Sequence, residues 1–475
     1  MWGLLNIISS NCRKNRDIIS KVSYLLVTVF LLEGILGKAA FPGYSMRLKM
    51  HILLTFLIII ALIVLDISRP KGKSTVKFSG TYRKIQCAIL SIIFIGFISS
   101  ALRVYWQSNL MFFLVWAANF YAIWWSIPRL FYHYSITDRI KLIQNILIFV
   151  LVASGAMHFA DLGIVQGRLG GIFANPTIAA RLIAITFLLY LVNFIFVNKY
   201  SKKTLLIIGL SLVLIIMTKT RASIFATFVG ASLIILTAIH FKKSFSRRRV
   251  YALLIGVCVV CSLVLHSYDI GLEDMFQKSR RYIRIDKDLT TIYLEARASN
   301  WRTGYQDMSK YGLFGMGFMS KFGITDYFYT GSTHPDQNII PRYNWATTDD
   351  PLNMILSVAK QQGWISSFLY ILFLLLIIKN TVNVKSEIGK FTALAVVLLG
   401  LIFGFLDGNW LTSFGDPVDR ISMIMIALIL STTNVTKTID RPELQQQSRS
   451  LQPACRSLAE IPVHRGSFKP LRTKQ

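Results

Sequence analysis

The sequence predicts an all-α polytopic membrane protein with about twelve transmembrane helices and one long helical extracytoplasmic loop between spans nine and ten. Three observations carry that reading. Of 475 residues, 53% are hydrophobic and 16% charged, and the mean hydropathy is +0.52, a balance ordinary for a membrane protein and anomalous for a soluble one. Apolar segments recur along the chain between short polar connections. One polar stretch, residues 268–350, is far longer than the others. The net charge of +29, from 52 Lys and Arg less 23 Asp and Glu, raises nucleic acid as a partner. Position argues against it, because the basic residues gather in alternating connections and in the tail, as a lipid bilayer requires.

A hydrocarbon core needs roughly 20 apolar residues per helix. Segments that meet or approach this lie near 22–38, 49–66, 85–103, 108–126, 141–157, 177–197, 204–218, 222–239, 250–266, 352–377, 391–407 and 417–432. Thr218-Lys219-Thr220-Arg221 supplies the polar break that divides 204–239 into two. With a cytoplasmic N-terminus, the inner connections hold Arg13, Lys14 and Arg16; Arg69 to Lys84; Arg129 and Arg139; Lys199 to Lys203; Lys242 to Arg249; and Lys379 to Lys390. The outer connections are poorer in lysine and arginine, so both termini are expected inside and 268–350 outside. This divides the chain into a cytoplasmic N-terminus (1–21), a transmembrane domain (22–432) and a basic, aperiodic cytoplasmic tail (433–475), expected to be disordered. The first apolar segment lacks a small-residue cleavage site, so no cleavable signal peptide is expected. Cys258 and Cys261 lie in an apolar segment without nearby Cys or His partners and read as packing residues.

Within the long loop, Leu294, Ala298, Trp301, Tyr305 and Met308 recur at helical spacing, which puts Arg297 at the margin of the apolar stripe. From there a guanidinium can reach a polar cavity while its stem stays buried. Gly312-Leu313-Phe314-Gly315-Met316-Gly317 follows as a tight, glycine-punctuated turn. Two more outer arginines stand in short connections. Arg168 lies in Gly167-Arg168-Leu169-Gly170-Gly171-Ile172-Phe173-Ala174-Asn175-Pro176, where Asn175 suits an N-cap and Pro176 the first helical residue. A helix start there, with backbone N–H groups facing outward, would suit a phosphate. Arg221 occupies a turn too short to leave the depth of lipid phosphates. Three arginines at that depth fit a sugar joined to a polyprenyl lipid through a diphosphate. Arginine stays protonated and meets phosphate through paired N–H groups, so a cluster stabilises the departing diphosphate without a metal. Removing one such donor costs on the order of 3 kcal/mol in the transition state. Asp286-Lys287-Asp288 spells the acidic signature of metal-dependent nucleotide-sugar transferases, but three residues match often by chance and nucleotides are absent from the outer face.

Taken in order on about twelve spans, the Arg168 motif, Thr220-Arg221-Ala222-Ser223, Arg297 to Trp301 and Tyr311 to Gly317 resemble the O-antigen ligase and polysaccharide polymerase superfamily. The resemblance covers approximately residues 140–420. It implies an inverting, metal-independent and cofactor-free glycosyl transfer from a polyprenyl-diphosphate-linked oligosaccharide in the bacterial inner membrane, with Arg168, Arg221 and Arg297 matching the diphosphate-binding arginines. Other polysaccharide-assembly membrane proteins are the expected partners. One departure stands out. Ligases of the family carry a His before Asn, Ser or Gln, nine residues and a Gly; here Asn353 and Gly363 fit, yet the histidine position is Leu352. A general base would come from Asp349, Asp350 or His334. Asp350 also suits a helix cap before Pro351. The missing histidine leans the reading towards a polymerase.

Charges inside the apolar segments need separate reasons. Glu33 and Arg181 lie within spans, where an ionisable group costs about 2.5–3.5 kcal/mol. Arg181 either extends the phosphate site or pairs with a carboxylate. Asp407, Asp416, Asp419 and Arg420 cluster at the outer mouth of the last two spans, where Asp416 is a candidate for binding glycan hydroxyls, as are Asn175 and Trp301 for other substrate groups. A ligase using the same donor is the nearest rival reading. A transporter of the same lipid-linked sugar is a rival of another class, and the absence of an internal repeat counts against it.

Overall fold

The computed structural model describes residues 2–36, 44–68, 78–102, 106–160, 162, 164–165, 168–173, 175–196, 201–241, 301–302, 305–306, 309, 312–315, 353–407 and 416–432. Contacts divide the chain into Met1–Thr433 and Asn434–Gln475, and all described residues belong to the first unit. The described chain is mostly helical. Its helices are α1 (Trp2–Leu36), α2 (Tyr44–Ile67), α3 (Gly80–Ala101), α4 (Trp106–Tyr121), α5 (Ile127–Leu130), α6 (Ile136–Phe159), α7 (Pro176–Phe196), α8 (Lys202–Met217), α9 (Arg221–Phe241), α10 (Met354–Val382), α11 (Glu387–Asp407) and α12 (Pro417–Leu430). Six helical stretches among the described residues are long and apolar enough to cross a membrane, in α1, α3, α6, α7, α10 and α11. Exposed faces stay apolar: Leu25, Phe94, Leu206 and Phe368 are each more than 60% exposed, as side chains facing lipid are and those facing water seldom are. The ninth expected span, 250–266, lies outside the described residues, as do the expected tail and most of the 268–350 loop.

Two helices form the centre. The stretch that makes α7 is 94% buried, and it packs against α6, α8, α9 and α11. Every residue of α12 is buried. A helix as evenly apolar as α7 belongs in such a position, whereas α12 also buries Asp419 and Arg420. A π-turn over Ala122–Ser126 joins α4 to α5, and the Trp124 carbonyl there accepts from Tyr82 Oη and Gln86 Nε2 of α3, both at 3.0 Å. Such a widened turn frees a carbonyl from the helical ladder, and a neighbouring helix repairs it.

Polar contacts lock the two ends of the bundle. At one end Asp66 pairs with Arg129 at 3.0 Å, Ser20 bonds Tyr134, and buried Arg139 donates to Leu428 O at 2.7 Å and Ser431 Oγ at 3.0 Å. At the other end Arg420 of α12 meets Glu33 of α1 at 2.5 Å, and Thr55 of α2 donates to the same carboxylate at 2.6 Å. Gly34 makes room, since a Cβ there would lie 2.9 Å from Arg420 Nη1. The ion pair explains why spans can carry Glu33 and Arg420: each neutralises the other.

The tenth predicted span departs from expectation. A single helix over 352–377 is replaced by two arms that meet at Gly363, where φ is 86° and ψ 178°. Ser367 Oγ donates to Ile355 O at 3.2 Å and Tyr370 Oη to Met354 Sδ at 3.6 Å. In a straight helix those pairs would stand roughly 18 and 24 Å apart. The arm 354–362 therefore folds back on 364–382, and only the second arm is a full crossing. A second departure is small: Ile164–Val165 and Arg168–Leu169 form an antiparallel pair, Ile164 opposite Leu169 and Val165 opposite Arg168.

Candidate active site

The Arg168 motif and the Thr218–Arg221 turn meet at one end of the bundle. The short strand pair carries Arg168 to the junction of α8 and α9. There its Nε donates to Thr218 O at 3.0 Å and its Nη2 to Thr220 Oγ1 at 2.8 Å. Arg168 is half-buried, Thr218 and Thr220 are buried, and Lys219 between them is exposed with φ of 51°. Gly171 seats the motif against α6. Its φ is 60°, and an added Cβ would lie 2.4 Å from Ser154 Oγ and 2.5 Å from Ser154 Cβ, so only glycine fits both the backbone and the space. Arg221 opens α9 directly after Thr220; its side chain lies outside the described residues. The first bond of this helix end is Ile224 N–H to Thr220 O at 3.0 Å, so the N–H groups of residues 221–223 precede the ladder.

The start of α7 carries its own cap. Asn175 Oδ1 accepts from Thr177 N–H at 2.9 Å, and Asn175 O accepts from Ile178 N–H at 3.1 Å. Pro176 has no N–H, so the start of α7 is closed by its own cap and does not present a set of open donors. Asn175 acts as that cap. Arg181 is buried and lies with its guanidinium 5.4 Å above the Phe403 ring of α11. Asp416 caps α12 by accepting from Val418 N–H at 2.8 Å. Trp301 is helical and 38% exposed. Arg297, His334, Asp349 and Asp350 lie outside the described residues.

The turn after the loop helix has a different address. Gly312–Phe314 forms a single 3₁₀ turn that lies against the corner of α10. An added Cβ on Gly315, φ 63°, would lie 2.4 Å from Gly363 N; one on Gly363 would lie 1.9 Å from Leu313 O. Backbone thus rests on backbone. Nearby, Tyr305 and Trp364 stand edge to face with centroids 6.4 Å apart, and Asn353 Oδ1 caps the first arm by accepting from Ile355 and Leu356 N–H at 3.0 and 3.2 Å. Sequence reasoning marked Asn353 and Gly363 by spacing only. It missed Thr218 and Thr220 as partners of Arg168, although the two threonines flanking one lysine at a break between apolar helices were a usable signal.

Apolar helices with buried polar locks, and a half-buried arginine held at a helix junction, define a multi-pass membrane protein with a polar site at one end of its bundle. The O-antigen ligase family model matches residues 205–350. That match supports placing the chain in the O-antigen ligase and polysaccharide polymerase superfamily, whose members transfer glycans from a lipid-linked polysaccharide substrate. The matched residues include Arg221, Arg297 and the 312–315 turn, and exclude Arg168. No curated protein matches the chain.

Proposed function

We propose that the protein is a polysaccharide polymerase that joins polyprenyl-diphosphate-linked oligosaccharide repeat units at the outer face of the bacterial inner membrane. The observation that carries this is the pair of hydrogen bonds from Arg168 to the turn that leads into Arg221, because it draws two arginine-bearing motifs, about fifty residues apart in sequence, to one helix end. Arg168, Arg221 and the open N-terminus of α9 would face the diphosphate, and Arg297 would close over it from the long loop. Positive charge fixed in a water-poor site favours the leaving diphosphate more than the bound donor, which lowers the barrier to transfer. No metal or cofactor is required by this scheme. Asp349, Asp350 or His334 would take the proton from the acceptor hydroxyl, and the second sugar would attack with inversion.

The lysine and arginine distribution favours an extracytoplasmic site, and the helix ends are compatible with it. Arg221 begins α9 beside Arg168, whereas the crossing arm of α10 starts at Gly363 beside Ser99, which ends α3 and donates to Gln361 O at 3.0 Å. An odd number of crossings between α9 and α10, such as a span at 250–266, would satisfy both. The ligase reading is favoured by the family description and disfavoured by Leu352 in place of histidine. Reconstitution with purified lipid-linked repeat units decides between them. A growing ladder is the expected product; transfer only to a different lipid acceptor would establish a ligase, and translocation without new linkages a transporter. Changing Arg168, Arg221 or Arg297 singly to Ala is expected to remove most turnover while insertion persists.

A further inference from the structure

We propose that Thr220 is a positioning residue that sets which edge of the Arg168 guanidinium is offered to the donor; this rests on the diphosphate reading above. A guanidinium carries five N–H groups in one plane. Nε and the inner N–H of Nη2 share an edge, and Arg168 gives that edge to Thr218 O and Thr220 Oγ1. Both N–H groups of Nη1 and one of Nη2 remain. These form the end-on fork that meets two oxygens of one phosphate.

The hydroxyl can act as acceptor because its own proton has a destination. Thr220 Oγ1 donates to Thr218 O at 3.3 Å, Thr220 N–H donates to Thr218 Oγ1 at 3.3 Å, and Thr218 Oγ1 donates to Ile215 O at 2.6 Å. The network has one direction throughout. Thr218 is 0% and Thr220 6% exposed, so water does not replace a lost hydroxyl freely. The left-handed backbone at Lys219 brings both threonines to Arg168 and sends the lysine outward. Without Oγ1 the guanidinium keeps one bond and can swing about it, so the fork loses its aim.

The test measures farnesyl diphosphate binding to the purified full-length protein in detergent, with thermal unfolding recorded for each variant. T220V keeps the branched shape and removes the acceptor; binding is expected to weaken about 10- to 100-fold, as for a lost hydrogen bond to a charged group. T220S is expected to stay within about threefold of the parent. R168A and R168A/T220V should bind equally weakly, because Thr220 acts only through Arg168. Parental affinity in T220V, or a further loss in the double variant, overturns the proposal. If valine unfolds the protein, T220A gives the same readout. Parental affinity in R168A would instead remove the diphosphate reading itself.

Discussion

Gly363→Ala is the most demanding test of the architecture, because its cost has two separable parts. The first is conformational: at φ 86° and ψ 178°, a residue with a Cβ is strained by about 1–3 kcal/mol. The second is steric. The new Cβ would lie 1.9 Å from Leu313 O, 2.2 Å from Leu313 C and 2.5 Å from Phe314 N, roughly 1.5 Å inside optimal contact with the nearest. All three are backbone atoms, so no rotamer relieves them. Either α10 changes its corner or the 312–315 turn leaves it, and the sum is about 3 kcal/mol or more.

Three companion glycines separate the parts. Gly209 sits inside α8 with open space around its missing Cβ, so G209A should be neutral or stabilising by up to about 1 kcal/mol. Gly312 has φ 62° and open space, so G312A carries strain alone, about 1–2 kcal/mol. Gly315 has φ 63° and meets Gly363 N and Gln361 O, so G315A should match G363A. The measurements are thermal unfolding in detergent and hydrogen exchange in peptides covering 305–315 and 354–370. Faster exchange is expected in both peptides for G363A and G315A, and in neither for G209A. If G312A proves as damaging as G363A, or if G363A exchanges like the parent, backbone resting on backbone is not what holds the turn.

Other contacts give further expectations. Removing one partner of the buried Glu33–Arg420 pair, as in E33A, should cost about 3–5 kcal/mol, whereas E33L/R420M should recover most of it; melting temperatures of the three proteins check both. G171A should destabilise through overlap with Ser154, and G171A/S154G should recover most of the steric part but not the strain at φ 60° or the 3.1 Å approach to Ser154 Cα, leaving about 2–3 kcal/mol once the glycine inside α6 is included. In a cysteine-free background, a membrane-impermeant maleimide added to whole cells should label K219C but label K385C only after permeabilisation. Both positions are exposed, and the reverse pattern would invert the proposed orientation.

What was legible in the sequence follows from the range over which each interaction acts. Apolar length and the Asn175-Pro176 start are local signals, and α7 begins where they say. The corner at Gly363 was hidden because Lys360, Gln361, Gln362 and Trp364 beside it are all compatible with a helix, and the reason for the break arrives from residues about fifty positions upstream. Glu33 and Arg420 lie 387 positions apart, so nothing local pairs them. At the candidate site, Arg168 and Arg221 were visible as charges in short connections, while the hydroxyl that holds Arg168 was not. At the α7 start, the side chain that marks the helix in the sequence also takes one of its first donors, Thr177 N–H.

The broken α10 bears on how a polar loop can be held to membrane helices. A corner within apolar surroundings exposes backbone groups whose loss of partners would cost several kcal/mol each. Those groups are met here from three sides. Ser99 of α3 donates to Gln361 O, Ser367 of the second arm donates to Ile355 O, and Asn353 Oδ1 accepts from Ile355 and Leu356 N–H at the start of the short arm. Repair distributed over two helices is not expected of an accidental kink, since each serine would otherwise have bonded within its own helix. The break therefore has a structural use: it admits the backbone of the 312–315 turn. A turn seated by backbone contact on α10, as 312–315 is, depends little on the side chains around it. In the proposed site, the fourteen residues between Arg297 and Gly312 would set how far the third arginine reaches towards Arg168, with the glycine corner as their fixed end.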